Sequence, residues 1–336
     1  MARASRFEGK SVVVTGASAG IGRAIARAFG KARARVGLIA RTGDALENAA
    51  SEIQAAGGEA LVLPLDLADA AAVDRAADEV ARRFGGIDVW VNDAMVSVFS
   101  PVAEMRAEEY RRVTEVNYLG TVHGTLAALR HMRARDAGVV VQVGSALAYR
   151  SIPLQSAYCA SKAAIRGFTD SLRCELLHDR SRVKVAMVQL PAVNTPQFEV
   201  VRNRLDAHAR PVPPVYQPET IAEGILWAAE RAPRELWIGW STMKAIVGQR
   251  VMPGLLDRYL ARTAWSAQMT DLAPKPTEDN VDAPLPGDRG SRGIFGGIAR
   301  RGSVEMWLRM HRRALAAAAA AATLAAAVAS RRAPAR

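Results

Sequence analysis

Two cysteines in 336 residues exclude a disulfide scaffold. Cys159 and Cys174 fall on one predicted helix, roughly 22 Å apart at 1.5 Å per residue, too far for a bridge. Five histidines show no ligand spacing, so no metal is expected. Long apolar runs are also missing. The alanine-rich run over residues 314–329 is sixteen residues without a charge, below the roughly 20 apolar residues of a bilayer span. The opening MARASRFEGK lacks an apolar core, so a cleaved signal peptide is not expected. Together these absences point to a reducing cytoplasmic compartment.

Half the residues are hydrophobic and 23% are charged, enough to bury a large core. The length suits one large α/β domain with an appendage. The net charge of +12 is unevenly placed. Residues 289–336 hold ten Arg and a single acid, Glu305, for a net of +9, leaving +3 for residues 1–288. Arg flanks both ends of the alanine-rich run, which suits a helix lying near anionic headgroups. Membrane association through this tail therefore stands beside the alternative of a solvent-exposed helix. Specific nucleic-acid binding is not expected, because the Arg cluster lacks interleaved aromatics or a recognisable module.

Candidate strands are SVVVT (11–15), RVGLIA (35–40), EALVLPL (59–65), IDVWVN (87–92), GVVVQVG (138–144), VKVAMVQL (183–190) and ELWIG (235–239). Most are continuous apolar runs, as expected of parallel strands covered on both faces. Alanine-rich helical segments lie between them, near 20–33, 43–57, 68–85, 106–135, 155–178 and 217–232. This alternation predicts a doubly wound α/β parallel sheet of about seven strands between two helical layers. The expected organisation is a catalytic domain over 1–245 and a helical extension over 246–272, broken at Pro253-Gly254. A Pro/Gly-rich linker over 273–303 and an Ala/Arg-rich helix over 304–336 complete it.

TGASAGIG at 15–22 follows the first strand and opens the first helix. Gly16 permits the turn, Gly20 lets the backbone approach a pyrophosphate, and Gly22 allows close helix–strand packing. The spacing is G-x-x-x-G-x-G rather than the commoner G-x-G-x-x-G. At the end of strand two stands Ala40-Arg41-Thr42, with no carboxylate to bond a ribose 2′-hydroxyl. A guanidinium there pairs with a 2′-phosphate, favouring NADP(H) over NAD(H). Asp66-Leu67, ending strand three, either accepts from the adenine amino group or caps the following helix.

Tyr158 and Lys162 form the sole Y-x-x-x-K of the chain, which places them on one face of a helix. Ser145 ends strand five, where open α/β sheets put their ligand crevice. With the glycine loop, VNDAM after strand four, Asn117 in EVNYLG, GSALAYRSIPLQSAYCASK (144–162) and LPAVNTP after strand six, residues 7–240 resemble the short-chain dehydrogenase/reductase family. The resemblance implies a Rossmann-type fold and an NAD(P)-dependent oxidoreductase that interconverts a small-molecule carbonyl and an alcohol. Tyr158 would be the general acid/base, and Lys162 would lower its pKa and hold the nicotinamide ribose. Ser145 would bond the substrate oxygen, and Asn117 would kink a helix and hold a relay water. The resemblance further implies cofactor contacts from Gly16, Ser18, Gly20, Ile21 and Gly22, then Arg41, Asp66 and Leu67. Asn92, Ala94, Val193 and Thr195 complete that set, along with Tyr158 and Lys162. A homo-oligomer is also implied.

The chain departs from the family pattern at three positions. Asp93 and Met95 replace the second Asn and the Gly of N-N-A-G, and Ala192 replaces the Gly of the Pro-Gly after strand six. An ionised carboxylate at Asp93 cannot donate a hydrogen bond that braces the sheet. Residues 196–216 fall where the family keeps its substrate-covering loop. Phe198, Val200, Val201 and Leu205 suit an apolar lid and a lipophilic substrate, whereas Arg202, Arg204 and Arg210 suit an acidic one. The competing functional class is a non-catalytic nucleotide-binding scaffold acting through its basic tail. Ser145, Tyr158, Lys162 and Asn117, all present, argue against it.

Overall fold

The computed structural model describes residues 6–274 and 278–332. The linker residues 275–277 and the end of the predicted tail helix, 333–336, lie outside that range. Seven parallel strands form the central sheet: β1 Ser11–Thr15, β2 Arg35–Ala40, β3 Glu59–Pro64, β4 Val89–Asn92, β5 Val139–Val143, β6 Lys184–Gln189 and β7 Glu235–Trp237. Their order is β3-β2-β1-β4-β5-β6-β7. The chain leaves β3 at one edge and returns to β4 on the far side of β1. The carboxyl ends of β1 and β4 thus flank a switch-point crevice.

Both faces of the sheet are covered, which explains the unbroken apolar strands. In β1, Val12 and Val14 join one buried cluster with Phe29 and Leu46. Val13, pointing the other way, joins a second with Val80, Trp90 and Met132. Helices α1 Gly20–Lys31 and α2 Gly43–Ala55 cover the first face. The second carries α3 Ala70–Phe84, α4 Ala107–Val113, α5 Gly120–Ala134 and α6 Ser156–His178. Helix α7, Pro218–Arg231, packs on α1.

The predicted break at Pro253 separates α8, Trp240–Val251, from α9, Pro253–Thr263. Proline at the first helical position starts α9 without losing a useful donor. The last helix, α10 Val304–Arg332, docks by its first turns: Met306 is buried in the main core and Arg309 donates to the Glu235 carbonyl at 2.6 Å. Among the described residues, no helix is long and apolar enough to cross a membrane.

Residues 278–303, whose composition reads as a linker, lie against the first domain. Ala299–Arg300 pairs with Val215–Tyr216, which pairs with Ala192–Val193 in a small parallel sheet. Val281 is fully buried in an apolar cluster with Val96, Val113 and Val116.

Candidate active site

The glycine loop is shaped by contacts that leave no room for side chains. Gly16 has a φ of +73°, and a Cβ there would lie 2.8 Å from the Ala94 Cα. At Gly22 a Cβ would sit 2.2 Å from the Gly16 carbonyl oxygen, so the α1 N-terminus reaches the turn only as glycine. Thr15 Oγ1 accepts from the Asp93 and Ala94 N–H groups at 3.0 and 3.2 Å, tying the ends of β1 and β4 together. Above this floor lies a cleft of about 210 Å³. Gly16, Ser18, Gly20, Ile21, Arg41, Asp66, Leu67, Ala94 and Thr195, all candidate cofactor contacts from the sequence, line it.

At the β2 end, the Arg41 guanidinium is partly buried and donates to the backbone carbonyls of Asn280 and Val281. Burial, then the neighbouring Arg112 charge, pushes its pKa down. Arg112 meets the Asp66 carboxylate at 2.5 Å, and Asp66 also accepts from the Ala68 N–H at 3.0 Å. Burial works against the Asp66 charge, but these bonds hold its pKa below the usual range. Asp66 therefore caps the turn after β3 while still facing the cleft. Sequence reasoning missed Arg112, whose role cannot be told from its neighbour Arg111 on a charged helix.

The catalytic candidates meet at the carboxyl end of β5. The Ser145 hydroxyl hydrogen-bonds the Tyr158 phenol, whose pKa burial drives up, against the pull of that bond. Lys162, one helical turn on, places its Nζ 5.7 Å from the Tyr158 ring centre and donates to the Val143 carbonyl at 2.7 Å. Burial pushes the Lys162 pKa down, and Asp93 pushes back. Asp93 is itself driven upward by burial, while Lys162 and a bond from the Gly22 N–H oppose the rise. The Asn-to-Asp departure thus places a second titratable group beside Lys162, held by the helix N-terminus.

Asn117 lies in a π-helical turn, Thr114–Leu119, between α4 and α5, which is the kink the resemblance implied. Its amide is fully buried. It accepts from the Val96 N–H at 2.8 Å and donates to the Val96 carbonyl at 3.0 Å and Ser161 Oγ at 3.1 Å. Asn117 thereby braces the segment after β4 against α6.

Other expected contacts lie elsewhere. The Asn92 side chain turns inward, donating to Gln142 and Thr125 and accepting from the Trp90 indole at 2.8 Å. Val193 is buried in the small sheet. Ser145, Tyr158 and Lys162 stand beyond the residues that line the cleft. Of the lid arginines, Arg204 forks onto Glu109, and Arg202 pairs with Glu109, Asp279 and Asp282. Burial opposes the Glu109 charge, yet these bonds hold its pKa low, at about 2. Phe99, Leu154, Val201 and Leu205 form an apolar cluster, with Phe198 and Met269 packed on it.

The short chain dehydrogenase family model matches residues 10–206, more than half of the chain. The chain belongs to the short-chain dehydrogenase family. An uncharacterised oxidoreductase of Bacillus subtilis (strain 168), YxnA, is 32% identical over 82% of this chain and 78% of that protein. A fatty acyl-CoA reductase of Acinetobacter baylyi is 31% identical over 68% of this chain and 76% of its own length. Among solved structures, a metagenomic short-chain oxidoreductase in complex with NADP superposes with a TM-score of 0.59 and 31% identity. That match covers 69% of this chain and 97% of the other. An alcohol dehydrogenase of Thermococcus sibiricus complexed with 5-hydroxy-NADP has the same TM-score at 29% identity, over 68% of this chain and 95% of that one. As a member of this family, the protein is an NAD(P)-dependent oxidoreductase of the Rossmann type.

Proposed function

We propose that the protein is an NADP(H)-dependent reductase of lipophilic ketones or aldehydes, with Tyr158 as its proton donor. The observation that carries the reading is the Ser145–Tyr158–Lys162 grouping at the carboxyl end of β5, beside the glycine-lined cleft. The residues present fit a dinucleotide. The positive-φ glycines leave the loop backbone bare for a pyrophosphate, and Arg41 is a partly desolvated cation that among the described residues makes no direct ion pair, as a 2′-phosphate requires. Gly16, Ser18, Gly20 and Ile21 would hold the pyrophosphate, Arg41 the 2′-phosphate, and Asp66 and Leu67 the adenine. Thr195 would flank the carboxamide.

The bound dinucleotide supplies the hydride. Ser145 donates a hydrogen bond to the carbonyl oxygen and fixes it beside the phenol. Tyr158 gives its proton to that oxygen as negative charge develops there. A phenol kept neutral by burial suits this direction, because an alkoxide is far more basic even than its phenolate. Lys162 carries positive charge toward the ring, which stabilises the phenolate left when the proton departs until solvent reprotonates it, and its ammonium would also hold the nicotinamide ribose hydroxyls. Asn117 holds the segment carrying Val96 in place, so that Tyr158 and the cleft keep their spacing.

The apolar cluster that joins Val201 and Leu205 to Phe99 and Leu154 supports a lipophilic substrate, and the fatty acyl-CoA reductase relative agrees with that class. Arg202 and Arg204 are already neutralised by Glu109 and its neighbours, which leaves them poor receptors for an acidic substrate. The test is tryptophan-to-nicotinamide energy transfer on adding NADPH, followed by NADPH oxidation with a panel of carbonyl compounds. Transfer plus turnover of the apolar carbonyls is expected. Absence of both overturns the assignment.

A further inference from the structure

The roof of the cleft is formed by residues 278–290, outside the part of the chain that matches the family model. They are held down by three sets of contacts. Asp279 and Asp282 pair with Arg202 at 2.8 and 2.7 Å. Asp288 forks onto the buried Arg23 of α1, with both bonds at 3.2 Å. Val281 fills the apolar cluster at Val113 and Val116.

This strap uses the groups a dinucleotide needs. The Gly20 N–H, at the N-terminus of α1, donates to the Gly290 carbonyl at 3.0 Å. Arg41 gives its guanidinium to the Asn280 and Val281 carbonyls, and Arg112 Nε donates to the same Val281 carbonyl at 2.9 Å. Neutral carbonyl oxygens thus stand where phosphate oxygens would bind. They satisfy the donors without supplying a phosphate's charge; Asp66 and Asp282 offset the Arg41 charge in part, and burial and Arg112 still hold its pKa down. The space left, about 210 Å³, is below the roughly 300 Å³ at which ligand pockets begin. The strap as it lies therefore narrows the site and occupies donors a dinucleotide would use.

We propose that residues 278–290 are an autoinhibitory strap that competes with the dinucleotide for Gly20 and Arg41, and that cofactor binding lifts it. The proposal rests on the cofactor reading above. Its consequence is arithmetic. If only an open fraction of molecules binds, apparent affinity falls by that fraction, and a strap closed in nine molecules of ten weakens binding about tenfold. Association slows by the same factor, while dissociation from the open complex is untouched. NADPH and NADH meet the same strap, so loosening it tightens both equally.

The test is the double variant Asp279→Asn/Asp288→Asn. It removes two anchors while Arg202 keeps Glu109 and Arg23 keeps Glu52. Stopped-flow binding of NADPH and of NADH should show association faster by about threefold or more, with dissociation and the NADPH/NADH ratio unchanged. In the wild-type protein, NADPH should speed hydrogen exchange over residues 278–290. Faster dissociation in the variant, or protection of the strap by NADPH, would show a clamp that holds bound cofactor and overturn the proposal. Unchanged rates would overturn it as well. The single variant Asp288→Asn serves as a second reading if the double variant folds poorly. If neither wild type nor variant binds either dinucleotide, the cofactor reading itself falls. If NADPH binds both alike, only the strap is refuted.

Discussion

The floor and the roof of the cleft are built from opposite materials. The floor is glycine backbone pressed on backbone, tied by Thr15 and backed by fully buried strands, so every atom is fixed by its neighbours. Ion pairs to Arg23 and Arg202, a few carbonyl acceptors and one buried valine hold the roof. Close packing yields only to a change of shape. Partly exposed ion pairs yield to salt, to an anion or to a single charge removal, and each contributes little alone. One wall keeps the reaction geometry, and the other can move.

Perturbing each wall sharpens that contrast. The largest effect is expected at Lys162. Replacing it with Met removes the charge beside Tyr158, and turnover should fall by about 10² to 10⁴ in steady-state assays, with weaker NADPH binding. At the floor's outer edge, Arg41→Ala should raise the Kd for NADPH by about ten- to a hundredfold while NADH is hardly affected, as calorimetry would show. An equal loss for both cofactors would place the 2′-phosphate elsewhere. Gly22→Ala tests packing alone. Its Cβ would overlap the Gly16 carbonyl, so thermal unfolding should drop by several degrees, for a cost of about 1–3 kcal/mol.

The smallest effect concerns Asp93. Burial raises its folded pKa above the unfolded value, so between the two the folded protein binds more protons and loses stability as pH rises. Asp93→Asn should therefore raise the melting temperature at about pH 8 and change it far less at about pH 5. A gain that is the same at both would show that the carboxylate is not desolvated.

Much of the floor was legible in the sequence. Unbroken apolar strands, a glycine loop after the first of them and one Y-x-x-x-K are local patterns with local causes. The roof was not, because its composition of Pro, Gly and charge is that of a linker. What pins it is a set of contacts across the chain, such as Arg23 to Asp288, 265 residues apart. No periodicity marks such a pairing. Asn92 shows the same limit at close range: its motif suggested a cofactor contact, yet the Trp90 indole and the Gln142 and Thr125 side chains take up its amide. Asp93 stood out as a departure, but its bond from the Gly22 N–H and its coupling to Lys162 needed three dimensions.

The proposed reaction turns on proton delivery by the Tyr158 hydroxyl. NADPH oxidation by apolar ketones and aldehydes, compared between wild type and Tyr158→Phe, tests it most directly. The phenol's removal should lower turnover about a thousandfold and leave NADPH affinity within a factor of about two. A Phe variant that reduces the same carbonyls at the wild-type rate would contradict it.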